Sequence, residues 1–294
     1  MSVKYAFIRG EEGVYPIASM CSWGAVSRSG YYAWRDRPAS ARAARRAELA
    51  VLIEYSFAQS DEAYGYRRVH ADLIAWGHDV DDDTVRRIMR DLGLIACQPR
   101  PRGPVTTIAS DAGDTPDLVQ RDFTAETPGV KLVGDITYIR TWQGWLYLAT
   151  VLDCCTKKVV GYAMAEHMRT CLVTDALAMA HRNGHIRAGV TIMHTDRGTQ
   201  YTSDEYARFT AEIGVLRSVG RTGICYDNAW AESFNGALKN ELVHRTQYPT
   251  RRHAIVDITR WIELRYNTRR RHSALGYRTP DQAEKDWYTV NSAA

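Results

Sequence analysis

The chain has 294 residues, 45% of them hydrophobic and 24% charged, with a formal net charge of +4. That length suggests two or three domains with ample material for a buried core. The absence of a long uncharged apolar run and of a charged-then-apolar leader excludes a membrane span and a secretory signal, so a cytoplasmic location is the expectation.

Residues 1–96 read as small helices. In PIASMCSWGAVSRSGYYAWR a short apolar helix breaks at Gly24 and a second begins at a cap near Ser27. This is the layout of a helix-turn-helix, although a plain helical hairpin gives the same pattern. A second such unit follows in YGYRRVHADLIAWGHDVDDDTVRRIMRDLGL, with a turn at Gly77, an acidic cap among Asp81 to Asp83, and a helix bearing Arg86, Arg87 and Arg90. From residue 97 to 128 prolines and small polar residues dissolve the periodicity and mark a linker.

The segment 129–245 then alternates. Strands are predicted at 131–140, 145–153, 157–165, 189–194 and 215–219, and helices at 170–182, 203–213 and 228–243. Three consecutive strands followed by helix-linked ones suggest a mixed five-stranded sheet flanked by helices, an α/β fold. Thr202 and Glu205 read as a capping box, and Asp227 or Asn228 as a cap for the last helix. The tail, 246–294, reads as one long helix, RRHAIVDITRWIELRYN, whose Trp261 and Tyr266 pack back onto the core. The basic cluster Arg269, Arg270, Arg271 and His272 follows. His272 has no ligating partner at useful spacing, which leaves it a hydrogen-bonder to phosphate or no role.

The six cysteines form no CxxC pair and have no matching histidine pair, which argues against a zinc module and for reduced, buried thiols. Charge is unevenly placed: residues 239–278 hold ten Lys or Arg against three Asp or Glu, a surplus larger than that of the whole chain. Such clustering is the electrostatic footprint of a nucleic-acid binder. No repeat and no sustained heptad pattern occurs, so the chain carries no coiled coil of its own.

Three acids stand out by setting. Asp135 lies inside the alternating strand KLVGDITYIR, where aspartate is a poor strand former. Asp196 follows the apolar run VTIMH and opens the turn DRG, at the carboxyl end of a strand, where open α/β sheets keep their ligands. Glu232 lies on AWAESFNGALKNELV, opposite the stripe of Trp230, Phe234, Ala237, Leu238 and Leu242. Three such carboxylates would repel one another without a cation, and they suit two hard divalent ions about 4 Å apart, the arrangement of two-metal phosphoryl transfer. As a plain alternative, Glu232 in a first helical turn also complements the helix dipole.

The runs VGDITYI, HTDRGTQYTS and YDNAWAESFNGALKNELV, with thirty-five residues between Asp196 and Glu232, resemble the catalytic core of bacterial insertion-sequence transposases of the retroviral-integrase type. From the opening KYAFIRGEEGVYPIASMCSWGAVSRSGYYAW to the closing YNTRRRHSALGYRTP the whole chain resembles the downstream-frame product of two-reading-frame insertion sequences. The resemblance implies a ribonuclease-H-like sheet, an acidic triad of Asp135, Asp196 and Glu232 holding two Mg²⁺ or Mn²⁺ ions, and Lys239 as a DNA contact. Lys239 lies two turns beyond Glu232, about 10 Å along one helix face, so both can meet one substrate. It also favours DNA contact by Arg86, Arg87 and Arg90 of the helical region, and the basic clustering of the tail makes Arg269, Arg270 and Arg271 further candidates for DNA contact. The expected partners are element ends, target DNA, an upstream-frame product or fusion with it, and further copies of the chain on DNA, in association with the bacterial nucleoid. The implied activity is cleavage at element ends and strand transfer. The rivals are a nuclease of the same fold and a non-catalytic regulator, against which the complete triad argues. One departure from the family pattern is Leu132, where a tryptophan is common three residues before the first acid.

Overall fold

The computed structural model describes residues 1–38, 40–97, 115–220 and 229–292. Two bundles of helices come first. Helices α1 (Ser2–Gly10), α2 (Ile17–Trp23) and α3 (Arg28–Arg35) close on Tyr5, Ile8, Met20, Cys21 and Tyr31. Ser27 caps α3 by accepting the Gly30 N–H at 2.9 Å, but the left-handed residue of the turn is Ala25 (φ 48), with Gly24 itself right-handed. Helices α4 (Ala41–Gln59), α5 (Tyr66–Ala75) and α6 (Asp82–Asp91) pack around Ile53, Val69, Leu73 and Val85. Asp81 caps α6 through the Thr84 N–H, and Gly77 turns the chain before it at φ 84. The nineteen residues of α4 make it a longer helix than the small ones expected of this region.

The central sheet consists of β1 (Lys131–Thr141), β2 (Gly144–Asp153), β3 (Val159–Ala165), β4 (Ile192–Thr195) and β5 (Leu216–Val219), in the order β3-β2-β1-β4-β5. The first three strands are antiparallel, and β4 and β5 run parallel to β1, giving the expected mixed five-stranded sheet. Helices α7 (Thr170–Arg182), α8 (Thr199–Thr202) and α9 (Asp204–Glu212) lie between these strands, and α10 (Ala229–Glu241), α11 (Arg251–Trp261) and α12 (Pro280–Ser292) after them. Alternation along the strands sorts the core into two layers. Leu132, Ala149 and Val151 meet Leu172, Val173 and Ala176 of α7, whereas Val133, Leu148 and Leu152 meet Phe234, Leu238 and Ile258 of α10 and α11. Leu132 is fully buried, so an aliphatic residue fills the position of the family tryptophan. The close approach of α7 to β3 depends on Gly161, where an added Cβ would lie 2.2 Å from the Ala176 carbonyl oxygen.

The end of α9 and the tail depart from the sequence reading. Ser203, not Thr202, caps α9, its hydroxyl accepting the Tyr206 N–H at 3.2 Å. The long tail helix passes into a π turn at Ile262–Asn267. There the Asn267 amide accepts from the Val159 N–H and donates to its carbonyl, both at 3.0 Å, so one side chain pairs with β3 as a neighbouring strand would. Trp261 and Tyr266 are buried against the core as expected. The chain then returns through α12, whose Lys158–Asp281 and Lys158–Glu284 ion pairs tie it to the β2–β3 turn. Asp153 ends β2 as a turn acid, accepting from the Gly129 and Cys155 N–H groups. The described cysteines are free thiols; Cys225, the Asp227 and Asn228 caps and most of the linker lie outside the described residues. Among the described residues no helix is long and apolar enough to cross a membrane.

Candidate active site

Sheet register brings two of the three acids level. Val133 of β1 pairs with His194 of β4 in parallel. Asp135 and Asp196 each follow that pair by two residues, so both stand just beyond the paired stretch, at the same end of the two parallel strands. Parallel pairing of β1 with β4 stops at Val133, and Asp135 therefore stands just where β1 becomes open on that side. Asp196 begins the turn after β4, and its carboxylate accepts the Gly198 N–H at 3.0 Å. A Cβ on Gly198 would lie 3.0 Å from the same oxygen, so glycine leaves that carboxylate its room.

Glu232 arrives from above the sheet. Its helix α10 is anchored by Ala231, Phe234 and Leu238, all buried against β1 and β2. Asn235, one turn after Glu232 and so on the same helix face, donates from Nδ2 to Asp135 Oδ2 at 2.7 Å. Burial first, then the charges of Asp196 and Glu232, pushes the Asp135 carboxyl up to about 7, while the Ile136 N–H and the Asn235 amide work the other way. Burial also raises Asp196, opposed by the Gly198 N–H and His194. Asp135 thus interacts electrostatically with both other acids. Among the described residues, no three His, Cys, Asp or Glu side chains gather around one point that a single ion could fill.

Sequence reasoning missed several groups around Asp135. Thr150 lies opposite Asp135 on β2, and its hydroxyl is buried with no hydrogen-bond partner, as is the Asn235 Oδ1. Tyr201 of α8 is 3% exposed, and its hydroxyl is raised well above the ordinary phenol value by burial, with Asp135 next in weight. The signal for Asn235 was available in its position one turn after Glu232; the other two depend on long-range pairing. Orphaned buried oxygens are uncommon in folded proteins, and hard oxygen donors among mutually repelling carboxylates suit a hard divalent cation.

The basic residues divide. Lys239 of α10 places Nζ 4.7 Å from the Tyr138 ring centre, on the side chain of β1 itself. Arg269 is exposed. Arg270 is not available to phosphate: its side chain is 9% exposed and held by Glu241 through contacts of 3.0, 3.1 and 2.7 Å. Arg271 is likewise bound to Asp72 and to the Tyr277 carbonyl. Much of the surplus charge of the tail thus fastens the second helical bundle to the core. Tyr64 Oη donates to the Arg269 carbonyl and accepts the Arg271 N–H, and Arg245 and Arg265 reach Asp61. His272 is 6% exposed, and burial beside Arg270 and Arg68 depresses its imidazole to about 2, so it stays neutral inside the fold.

In the helical region Arg86 and Arg87 both bridge to Asp83 yet stay solvent-facing, and Arg90 is 75% exposed. A groove of about 170 Å³ between α4 and α6 is lined by Arg42, Arg45, Arg46, Leu49, Thr84 and Arg87. Its α4 arginines stand in the run ARAARR, a charge cluster that could have been noticed in the sequence.

Two integrase core domain models match residues 125–225 and 213–280, and an HTH-like domain model matches residues 44–102. Transposase InsF for insertion sequence IS3A of Escherichia coli K12 is 37% identical over 284 residues, covering 96% of this chain and 98% of the relative. The insertion element IS600 uncharacterized 31 kDa protein of Shigella sonnei is 38% identical over 261 residues, covering 89% and 96%. Among solved structures, the HTLV-2 integrase catalytic core domain in complex with magnesium aligns with 17% identity and a TM-score of 0.42, covering 54% of this chain and 98% of that one.

Proposed function

Because the chain belongs to the insertion-sequence transposases that carry an integrase core, we propose that it cleaves DNA at the ends of its own mobile element and joins the exposed 3′ hydroxyl to a target strand. The observation that supports this reading is that the charges of both Asp196 and Glu232, from two other elements, act on the buried Asp135 carboxyl. In this reading Asp135, Asp196 and Glu232 would together hold two Mg²⁺ or Mn²⁺ ions. The ions supply charge neutralisation and an activated oxygen nucleophile, water in cleavage and a DNA hydroxyl in joining. The residues of the chain do the positioning, which is most of what phosphoryl transfer asks of a protein. Asn235 holds the Asp135 carboxylate by its amide, Gly198 N–H orients Asp196, and the buried Tyr201 lies within electrostatic reach of Asp135. Lys239 is assigned to the substrate backbone.

For DNA recognition we assign Arg86, Arg87 and Arg90, with Arg42, Arg45 and Arg46 of the adjoining groove, to duplex phosphates, and Arg269 to the exposed side of the tail. Arg270 and Arg271 are excluded by their internal ion pairs. The chain is further proposed to act as a homo-oligomer on DNA with an upstream-frame product or as a fusion with it, since its sequence shows no heptad region for self-pairing. A duplex carrying the element's terminal inverted repeat, incubated with a supercoiled target and Mg²⁺, separates transposase from nuclease. Joined products support the proposal, and cleaved ends that never join would reduce the chain to a hydrolase.

A further inference from the structure

The β1–β2 ribbon carries aromatic rings that the core does not use. Tyr138 is 55% exposed, Trp142 74% and Trp145 47%. Tyr138 and Trp145 meet edge to face with centroids 5.2 Å apart, and Lys239 Nζ stands over the Tyr138 ring at 4.7 Å. Arg140, between Tyr138 and Trp142, is exposed as well. Aromatic faces interleaved with cations are what a single strand of nucleic acid requires: rings for the bases and positive charge for the phosphates.

Position strengthens the case. Pairing of β1 with β4 ends at Val133, so among the described residues no strand pairs with that edge of the rest of β1, and α10 delivers Lys239 to Tyr138. Tyr138 follows Asp135 by an odd number of residues and so leaves β1 on the other face, but its ring meets Lys239 of α10, which follows Glu232 by seven residues, about 10 Å of helix. Successive stacked bases rise ~3.4 Å per step. A strand whose reacting phosphate lies at the carboxylates therefore brings bases a few nucleotides away to the Tyr138 ring. Bases inside an intact duplex have both faces covered, so away from the terminal pair only an unpaired base can stack on a side chain.

We propose that Tyr138, Trp142 and Trp145 form a stacking platform for unpaired bases of the DNA strand being processed, with Lys239 and Arg140 along its phosphates. The platform rests on the function proposed above and adds to it that the reacting DNA is frayed beside the cut.

The test uses the full chain and two duplexes of equal length and phosphate number. One is fully paired, and the other has three mismatched terminal pairs with 2-aminopurine in the unpaired strand. The wild-type chain is expected to bind the frayed duplex more tightly and quench its fluorescence. Trp142→Ala and Tyr138→Ala should each lose roughly tenfold or more of that preference, while Trp142→Phe and Tyr138→Phe retain most of it. The use of Trp142, distant from Lys239 in sequence and mostly in solvent, separates stacking from any disturbance of α10. Preference and quenching that survive in both alanine variants would overturn the platform. So would an alanine variant that changes only the oligomeric mass, because the patch would then face a second copy. Cleavage is measured in the same samples. A wild-type chain that cleaves without preferring the frayed duplex overturns the platform alone, and one that, even when supplied with the upstream-frame product, neither binds nor cleaves overturns the function and the platform together.

Discussion

The ion pair between Glu241 and Arg270 distinguishes a structural arginine from a DNA-binding one. The two side chains are 6% and 9% exposed, joined by three contacts between 2.7 and 3.1 Å, with Arg68 Nη1 a further cation 4.0 Å from the same carboxylate. Replacing Arg270 by Met leaves Glu241 buried with its principal partner gone. Breaking one side of such a pair costs about 3–5 kcal/mol, whereas replacing both partners by apolar residues of similar size is often close to neutral. Arg270→Met should therefore lower the melting temperature by roughly 6–20 °C, and the double variant Arg270→Met with Glu241→Leu should recover much of the loss. The assay is thermal unfolding followed by far-ultraviolet circular dichroism, paired with a filter-binding salt titration on duplex DNA. The slope of log affinity against log salt should stay unchanged for Arg270→Met, because no phosphate contact is removed. A variant with wild-type stability and a slope shallower by about one, the signature of a lost phosphate contact, would refute the buried-pair reasoning.

Three further outcomes follow from the same packing. The Asp135 carboxyl is raised to about 7 from an ordinary 3.8, so in chelator the stability it contributes as a neutral group is complete below about pH 4 and is lost as pH rises through 7. Asp135→Asn should accordingly melt several degrees above the wild type at pH 8 and lose that advantage towards pH 4; equal melting temperatures at pH 8 would contradict it. Asn235→Ala removes the amide that favours the Asp135 carboxylate, and should reduce cleavage about 10–100-fold by the usual cost of a lost supporting contact, measured with folding checked by circular dichroism. Gly161→Ala would force a methyl to within 2.2 Å of the Ala176 carbonyl oxygen and 2.9 Å of the Ala180 nitrogen, both backbone atoms. It should cost at least 1–3 kcal/mol by the measure of overpacked cores, roughly, and an unchanged urea midpoint would rule out the close approach.

The strands were legible because alternation over KLVGDITYIR and its neighbours is a local signal, and the same alternation put Asp135 where no loop acid belongs. Ser27 and Asp81 were legible as caps for the same reason. Helix α12 was missed although its own start is written in TPDQ. Thr279 caps it through the Gln282 N–H at 3.2 Å, the Gln282 side chain returns a bond to the Thr279 N–H at 3.0 Å, and Pro280 occupies the first turn. The fate of the basic cluster was not legible. Arg270 and Arg271 read as a solvated run until Glu241 and Asp72, twenty-nine residues before one and 199 before the other, are brought against them by the fold. Thr150 and Tyr201 were hidden likewise, since only strand pairing and the α8 turn place them beside Asp135.

The central claim is that Asp135, Asp196 and Glu232 together hold two divalent cations for phosphoryl transfer. It is tested most directly by cleavage of a duplex bearing the element's inverted repeat, in Mg²⁺, by the wild type and by Asp135→Asn, Asp196→Asn and Glu232→Gln. Binding of the same duplex is followed in parallel. Each variant should bind within a few-fold of the wild type yet cleave at least roughly a thousandfold more slowly, about 4 kcal/mol of lost barrier reduction, and excess chelator should silence the wild type. A near wild-type rate in any one of the three, or robust cleavage in chelator, would contradict it.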